Sequence, residues 1–315
     1  MIVRWGLRQL PAVLAELRIA KPLLVAGQRW DGTKLGIRPA ARWQEVPSNR
    51  IAEAAADAGD GVVAVGGGSA IDLGKAISSE ADVPLVSVPT TYAGAEWTSY
   101  FGIRDPERKM KGGGAGAHLR GVVYEPELTL SLPREETVGT AMNALAHCAE
   151  ALYVKQNNPA ADAHALGGAN LIGEWLPRVV AAPQDLDARK HLLEGAMHAG
   201  AALGGSMLGL GHAMAQALGG RYGLPHGAMN ALCLPVALEF NEEVAPDAVR
   251  RFREAVGTDV RELARLGGFE RLRDFGIPEE DLPEIAAATV ERAGAKANPR
   301  PATAADVEQL LNNIY

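Results

Sequence analysis

Gly61–Ser78, GVVAVGGGSAIDLGKAIS, decides the fold. Its first five residues are an unbroken apolar run, as expected of a parallel strand covered on both faces. Gly66-Gly67-Gly68-Ser69 follows at once and leads into a helix, AIDLGKAIS. A second apolar strand, Pro84–Val88, comes next and ends in Pro89-Thr90-Thr91. Strand, helix, strand, each strand closing in a polar loop, is the doubly wound α/β pattern. Glycines between a strand and a helix let a backbone approach a pyrophosphate, whose charge the helix N-terminus favours. The spacing is not GxGxxG, so the common dinucleotide fingerprint does not apply, and a plain tight turn is the alternative.

Upstream, Leu10–Leu17 has helical spacing and Pro22 is expected to end it; Leu23–Ala26 reads as a short buried strand closed by Gly27, and Ile51–Ala58 as a small-residue helix. Downstream, Lys109–Ala117 (KMKGGGAGA) reads as a mobile loop before a strand at Val122–Tyr124. After Leu132-Pro133 the chain turns rich in Ala, Leu and Gly with helical periodicity, and β-branched runs become scarce. A domain boundary is therefore expected near Leu130–Pro133. It separates an α/β domain, residues 1–131, from an all-helical domain, residues 132–315.

The 315 residues exceed one ordinary core, in keeping with two domains. A formal net charge of −7 argues against a polyanionic partner such as nucleic acid, though not against a small anion met by local arginines. The two cysteines, Cys148 and Cys233, lie in apolar stretches and read as buried thiols of a reducing compartment. Charged residues run through the apolar N-terminal stretch, and no apolar run has membrane-spanning length, so a cytoplasmic protein is expected.

The helical half carries a constellation of polar groups. In Met142–Tyr153 (MNALAHCAEALY), Asn143 and His147 are four apart, with Glu150 near the next turn; in Gly209–Pro235, His212 and Gln216 repeat the spacing. Residues at i and i+4 share a helix face, so both segments are expected to point these groups into one cavity. His226 stands between Pro225 and Gly227, where a loop is expected to present it. Glu150 is expected to orient a neighbour or cap a helix. His118, His164, His191 and His198 match no such pattern and read as hydrogen-bonded core residues.

Taken together these segments resemble the iron-containing alcohol dehydrogenase superfamily, and within it the maleylacetate reductases. GGGSAIDLGKAIS (66–78) is similar to the superfamily's GGGSxxDxAK segment, and PTTYAGAEWTSYFGI (89–103) to the reductases' PTTYAGSEMT. VVYEPELTLSLP (122–133) and MNALAHCAEALY (142–153) resemble the same branch, and HAMAQALGGRYGLPHG (212–227) resembles the superfamily's HxxxHxLG…PHG region. The matches are collinear from about Arg4 to Leu238.

The resemblance implies a Rossmann-like NAD(P)-binding domain, a helical catalytic domain and an active site in the cleft between them. It places Gly67, Gly68, Ser69, Asp72, Thr90, Thr91, Lys109 and Gly27 beside the cofactor, NADPH or NADH. It places His212, His226, His147 and Asn143 at the catalytic centre. In metal-dependent members the four latter positions ligate iron or zinc. Here Asn143 stands where an acidic ligand belongs, and a neutral amide offsets no cationic charge. Three neutral histidines can still hold Zn²⁺, but asparagine here is what the maleylacetate reductase pattern shows, and the resemblance to that branch implies a metal-free site; were a metal bound, His147, His212 and His226 would hold it. Gln216 replaces a usual histidine, so a proton relay would need His212, His226 or Tyr92.

The reading that follows is a maleylacetate reductase-like, NAD(P)H-dependent reductase of an oxo acid or enoate, linked to breakdown of aromatic compounds and working as a homodimer. Arg104, Arg108, Arg120 and Arg221 are the candidate clamps for an anionic substrate. The alternatives are a metal-dependent alcohol dehydrogenase and a nucleotide-binding homologue with impaired catalysis. Gly27 stands where superfamily members often carry an aspartate for the adenosine ribose, and Arg29 is two residues on. NADPH use at least comparable with NADH is therefore expected.

Overall fold

Residues 1–31 and 35–315 are described by a computed structural model. Its strands are β1 (Ile2–Trp5), β2 (Pro22–Ala26), β3 (Ala41–Trp43), β4 (Gly61–Gly66), β5 (Pro84–Pro89), β6 (Phe101–Arg104), β7 (Met110–Gly114) and β8 (His118–Tyr124). Helices α1 (Leu10–Glu16), α2 (Ile51–Ala56) and α3 (Gly68–Ala81) accompany them. The chain divides into two compact units, Met1–Thr129 and Leu130–Tyr315.

In the first unit six strands form one sheet in the order β1-β8-β5-β4-β2-β3, every neighbouring pair parallel. Successive residues of β4 explain its unbroken apolar run. Val63 and Val65 join a core with Leu10, Val13 and Leu14 of α1, while Val62 and Ala64 join a second core with Ala54 of α2 and Leu73 and Ile77 of α3. Both faces of the sheet are therefore dry, and a polar residue on either would lose its water without gaining a partner. From β2 the chain steps outward to β3 and then returns to β4 on the other side of β2. That reversal puts a topological switch point at the carboxyl ends of β2 and β4, where α/β sheets bind ligands. Gly27 follows β2 there and Gly66–Ser69 follows β4.

Two sequence expectations for this unit are corrected. The glycine-rich Lys109–Ala117 stretch is not simply a loop, because Met110–Gly114 pairs antiparallel with β6. Its glycines are poor strand formers alone, but a side chain at Gly114 would run into the ring of Phe101, with an ideal Cβ 2.9 Å from that ring. Pro22 does not end the first helix; α1 stops at Glu16, Arg18 turns left-handed (φ 59°), and Pro22 opens β2.

The second unit is helical: α4 (Arg134–Tyr153), α5 (Pro159–Ala181), α6 (Leu186–Gly204), α7 (Leu210–Tyr222), α8 (His226–Glu242), α9 (Pro246–Val256), α10 (Val260–Arg265), α11 (Leu282–Val290), α12 (Ala293–Ala297) and α13 (Ala304–Asn312). Nearly every residue of α4 beyond Glu136 is buried, so this helix is an axle rather than an amphipathic layer. Asn158 caps α5 by accepting from Ala161 N, and Asp185 caps α6 by accepting from Asp187 N and Ala188 N. Cys148 and Cys233 are free and buried on α4 and α8, where burial pushes both thiols up, away from the reactive thiolate. No helix among the described residues is long and apolar enough to cross a membrane.

Candidate active site

The N-terminus of α7 has no side-chain cap of its own. Glu150 of α4 supplies one from across the core. Its Oε2 accepts from Gly209 N at 2.7 Å and its Oε1 from His212 N at 3.0 Å. The same Oε2 lies 2.7 Å from His212 Nδ1, and both side chains are 1% exposed. A carboxylate with three donors at a positive helix end tolerates such burial. Glu150 therefore fixes both the start of α7 and the orientation of the imidazole three residues inside it.

Around His212 the other polar groups close up. The His147 and His212 rings stack with centroids 4.7 Å apart, and the His226 ring is tilted to His212 at 5.7 Å. Asn143 sits among them, its Oδ1 3.3 Å from His212 Nε2 and its Nδ2 3.5 Å from His147 Nε2. A fifth group completes the chain: Asn230 Nδ2 donates to Asn143 Oδ1 at 2.9 Å and lies 3.0 Å from His226 Nε2. Asn230 was absent from the sequence candidates, although it follows His226 by four residues, the spacing that marked Asn143 with His147. His226 itself is not presented by a loop. It is the first residue of α8, after Pro225. Close packing sets that start, since a Cβ at Gly227 would lie 2.4 Å from Gly139 O of α4.

In the first unit, Gly67 precedes α3 in extended conformation, and a Cβ there would fall 2.8 Å from Thr91 Cγ2. Strand ends β4 and β5 meet through Thr90 N donating to Gly66 O at 3.0 Å, so Gly66–Ser69 and Thr90-Thr91 form one continuous rim. Three glycines in that rim, at a helix N-terminus, suit a dinucleotide pyrophosphate. Asp72 accepts from Gly102 N at 3.3 Å and from Lys75 Nζ at 3.1 Å. Lys75, which the sequence reading passed over, is 1% exposed and also donates to Thr98 Oγ1 and Tyr100 O, each at 3.0 Å. Lys109 by contrast is exposed and paired with Glu107. Arg29 lies in the turn after Gly27, its guanidinium 4.5 Å from the Trp30 ring centroid. Tyr92 is buried, with its OH 3.2 Å from Thr129 Oγ1. Under the rim Glu96 is buried, accepting from Tyr124 OH at 2.7 Å; burial pushes its carboxyl up, and Tyr124 and Lys75 oppose the rise.

The remaining histidines are hydrogen-bonded but are not core residues. His118 pairs with Asp82 at 2.9 Å, His164 and His198 meet through Nδ1 atoms 2.8 Å apart, and His191 stacks on Trp175; all four are partly exposed. Of the candidate clamps, Arg221 is engaged by Asp281 and Glu284, and Arg104 Nη1 donates to Arg108 O. Arg120 is exposed on β8.

A six-stranded parallel sheet with a glycine rim, followed by helices that gather three histidines, is the arrangement of one dehydrogenase class, and sequence comparison agrees. Residues 4–120 match the iron-containing alcohol dehydrogenase family and residues 137–315 match its C-terminal domain, so the chain belongs to that family. A maleylacetate reductase of Burkholderia cepacia is 38% identical over 291 residues, 89% of this chain and 82% of that protein. The solved maleylacetate reductase of Rhizobium sp. strain MTP-10005 matches with a TM-score of 0.89 at 30% identity, covering 100% of this chain and 95% of its own. An iron-containing alcohol dehydrogenase of Corynebacterium glutamicum ATCC 13032 matches with a TM-score of 0.86 at 34% identity, covering 100% and 94%. Within the family the chain falls in the maleylacetate reductase branch, and it is an NAD(P)H-dependent oxidoreductase.

Proposed function

We propose that this enzyme reduces a dianionic oxo-enoate of the maleylacetate type without a metal ion. His212, His226, His147 and Asn143 form its catalytic centre, and Gly27, Gly67, Gly68, Ser69, Asp72, Thr90, Thr91 and Lys109 its cofactor contacts. Residues 1–131 are the dinucleotide domain and residues 132–315 the catalytic domain. The observation that carries the reading is the amide of Asn143 at the junction of the histidines, held there by Asn230. The carboxylate nearest the cluster, Glu150, has both oxygens committed to the α7 terminus and His212 Nδ1. That leaves three imidazoles and an amide, neutral groups that offer a divalent cation no compensating charge. We therefore assign no step to a metal ion; because three histidines alone can hold Zn²⁺, metal analysis enters the test.

The bound dinucleotide supplies a hydride. When the hydride reaches the β-carbon of the enoate, the C=C electron pair moves toward the conjugated carbonyl and negative charge grows on its oxygen. His212 and His226 meet that charge with hydrogen bonds, and a proton from one of them completes the α-carbon. Glu150 accepts from His212 Nδ1, so the edge left to face the substrate is Nε2, beside Asn143, and it donates there only as the imidazolium. Asn230 Nδ2 donates to His226 Nε2, which places the proton of a neutral His226 on Nδ1 as its donor. Hydrogen bonds fixed before the reaction stabilise developing charge without reorganisation.

A cytoplasmic homodimer serving aromatic-compound breakdown is consistent with the branch. The deciding experiment is NADPH and NADH oxidation over a panel of oxo acids and aldehydes, with metal analysis of the purified protein. Reduction of maleylacetate that survives chelation is expected. About one Fe or Zn per chain, removed together with activity, would favour the metal-dependent alcohol dehydrogenase reading instead.

A further inference from the structure

Arg292, at the N-cap of α12, differs from the other arginines of the helical unit. It is half-buried, yet no carboxylate among the described residues pairs with it, and its Nε is buried without a hydrogen-bond partner. Burial alone lowers its pKa, with no acid opposing the shift. A guanidinium withdrawn from water and left without an anion costs stability unless a ligand supplies one. Its near neighbours show the usual arrangement: Lys296 is paired with Glu291, and Arg221 with Asp281 and Glu284.

The Arg292 side chain reaches α7. Its Nη2 lies 3.9 Å from where a Cβ would stand on Gly220, so the missing side chain leaves the guanidinium room against the helix. His212, Gln216 and Gly220 succeed one another at intervals of four, along one side of α7. Gln216 is partly exposed between a buried His212 and an exposed Gly220, so that side of the helix opens toward its C-terminal end. Arg292 therefore stands about two turns of α7 beyond the reacting histidine, on the same flank, with a polar amide between them.

We propose that Arg292 is a specificity-determining residue: it pairs with the carboxylate of the substrate remote from the carbon that receives the hydride, and so selects dicarboxylates over monoacids and neutral carbonyl compounds. A guanidinium fork binds a carboxylate through two parallel hydrogen bonds, giving orientation as well as charge. Gln216 offers its amide to the chain between. This inference rests on the reading of His212 as part of the reaction centre. It replaces Arg221, the α7 arginine that the sequence suggests, because Arg221 already has its anions.

The test compares kcat/KM for maleylacetate, a monocarboxylic oxo acid and a neutral aldehyde in wild type, Arg292→Gln and Arg292→Lys, with thermal melts alongside. Arg292→Gln is expected to lower kcat/KM for maleylacetate about 10²-fold, mostly through KM, while the aldehyde changes less than about twofold. Arg292→Lys should recover part of the loss, and added guanidinium should restore Arg292→Gln toward dicarboxylates only. Equal losses on all three substrates, or no loss on maleylacetate, overturn the assignment. If Arg292→Gln melts early, Arg292→Lys and the guanidinium rescue decide the matter by the same ratios. A wild type that reduces aldehydes and ignores every dicarboxylate would instead overturn the proposed function, with Arg292 variants unchanged on aldehyde.

Discussion

Replacing Glu150 by glutamine tests the join between fold and chemistry in one atom. The carboxylate serves Gly209 N, His212 N and His212 Nδ1, at 2.7, 3.0 and 2.7 Å. An amide can accept on one side only. With its oxygen toward Gly209 N and His212 Nδ1, the new NH2 faces the His212 N–H; turned over, it faces the other two donors. At least one buried donor is stranded, and hydrogen bonds to a charged acceptor contribute about 1.5–3 kcal/mol each. A loss of about 2–3 kcal/mol is expected, lowering the melting temperature of a unit this size by roughly 4–12 °C. In the turned-over form the amide donates to Nδ1 and forces the other imidazole tautomer. In a catalytic triad the equivalent acid-to-amide change costs about 10⁴ in kcat while leaving the geometry in place. Glu150→Gln should therefore lower kcat by about 10²–10⁴ and leave dinucleotide affinity unchanged. Steady-state kinetics, fluorescence titration of NADPH and scanning calorimetry read the three quantities. A folded Glu150→Gln variant with kcat within threefold of wild type would refute the role given to His212.

His226→Ala and His212→Ala should each lower kcat by about 10²–10³, as loss of one donor to a developing oxyanion does, with His118→Ala as the unaffected control; near-normal turnover in both would remove the histidines from the centre. NADPH should serve at least as well as NADH, and Arg29→Ala, beside Gly27 at the β2 end, should weaken NADPH selectively; strict NADH dependence in wild type would contradict this. Glu96 gives a pH effect on stability: its folded pKa is raised by burial, so the native state holds a proton that the unfolded chain releases earlier. Its contribution is complete below the ordinary carboxylate range and is lost as pH rises through the raised value. Glu96→Gln should flatten that fall in urea midpoints measured against pH, and an unchanged slope would show Glu96 already ionised.

The sheet was legible because parallel strands buried on both faces must be apolar throughout, and GVVAV followed by glycines admits little else. Helical spacing likewise exposed Asn143 with His147, and His212 with Gln216. Asn230 obeys the same rule but lies in an apolar, alanine-rich helix, where a lone amide gives no periodic signal. Arg292 was invisible for a different reason. What marks it is the absence of an acid within reach, and that depends on how α12 meets α7, not on neighbouring residues in the chain. The glycines of β7 misled because strand propensity is a property of the partner as much as of the residue; Phe101 across the ladder needs the space they leave.

The exchange of a carboxylate for an amide at position 143 changes more than charge. A carboxylate can only accept, so His147, His212 and Asn230 would all have to donate to it or share a cation with it. An amide accepts at one end and donates at the other, and Asn230 beside it does the same. The orientation is set from Asn230, whose Nδ2 donates to His226 O at 3.2 Å as well as to Asn143 Oδ1, so Asn143 must present its oxygen there. Position 143 therefore presents a neutral acceptor to His212 Nε2, where a carboxylate would present a charged one.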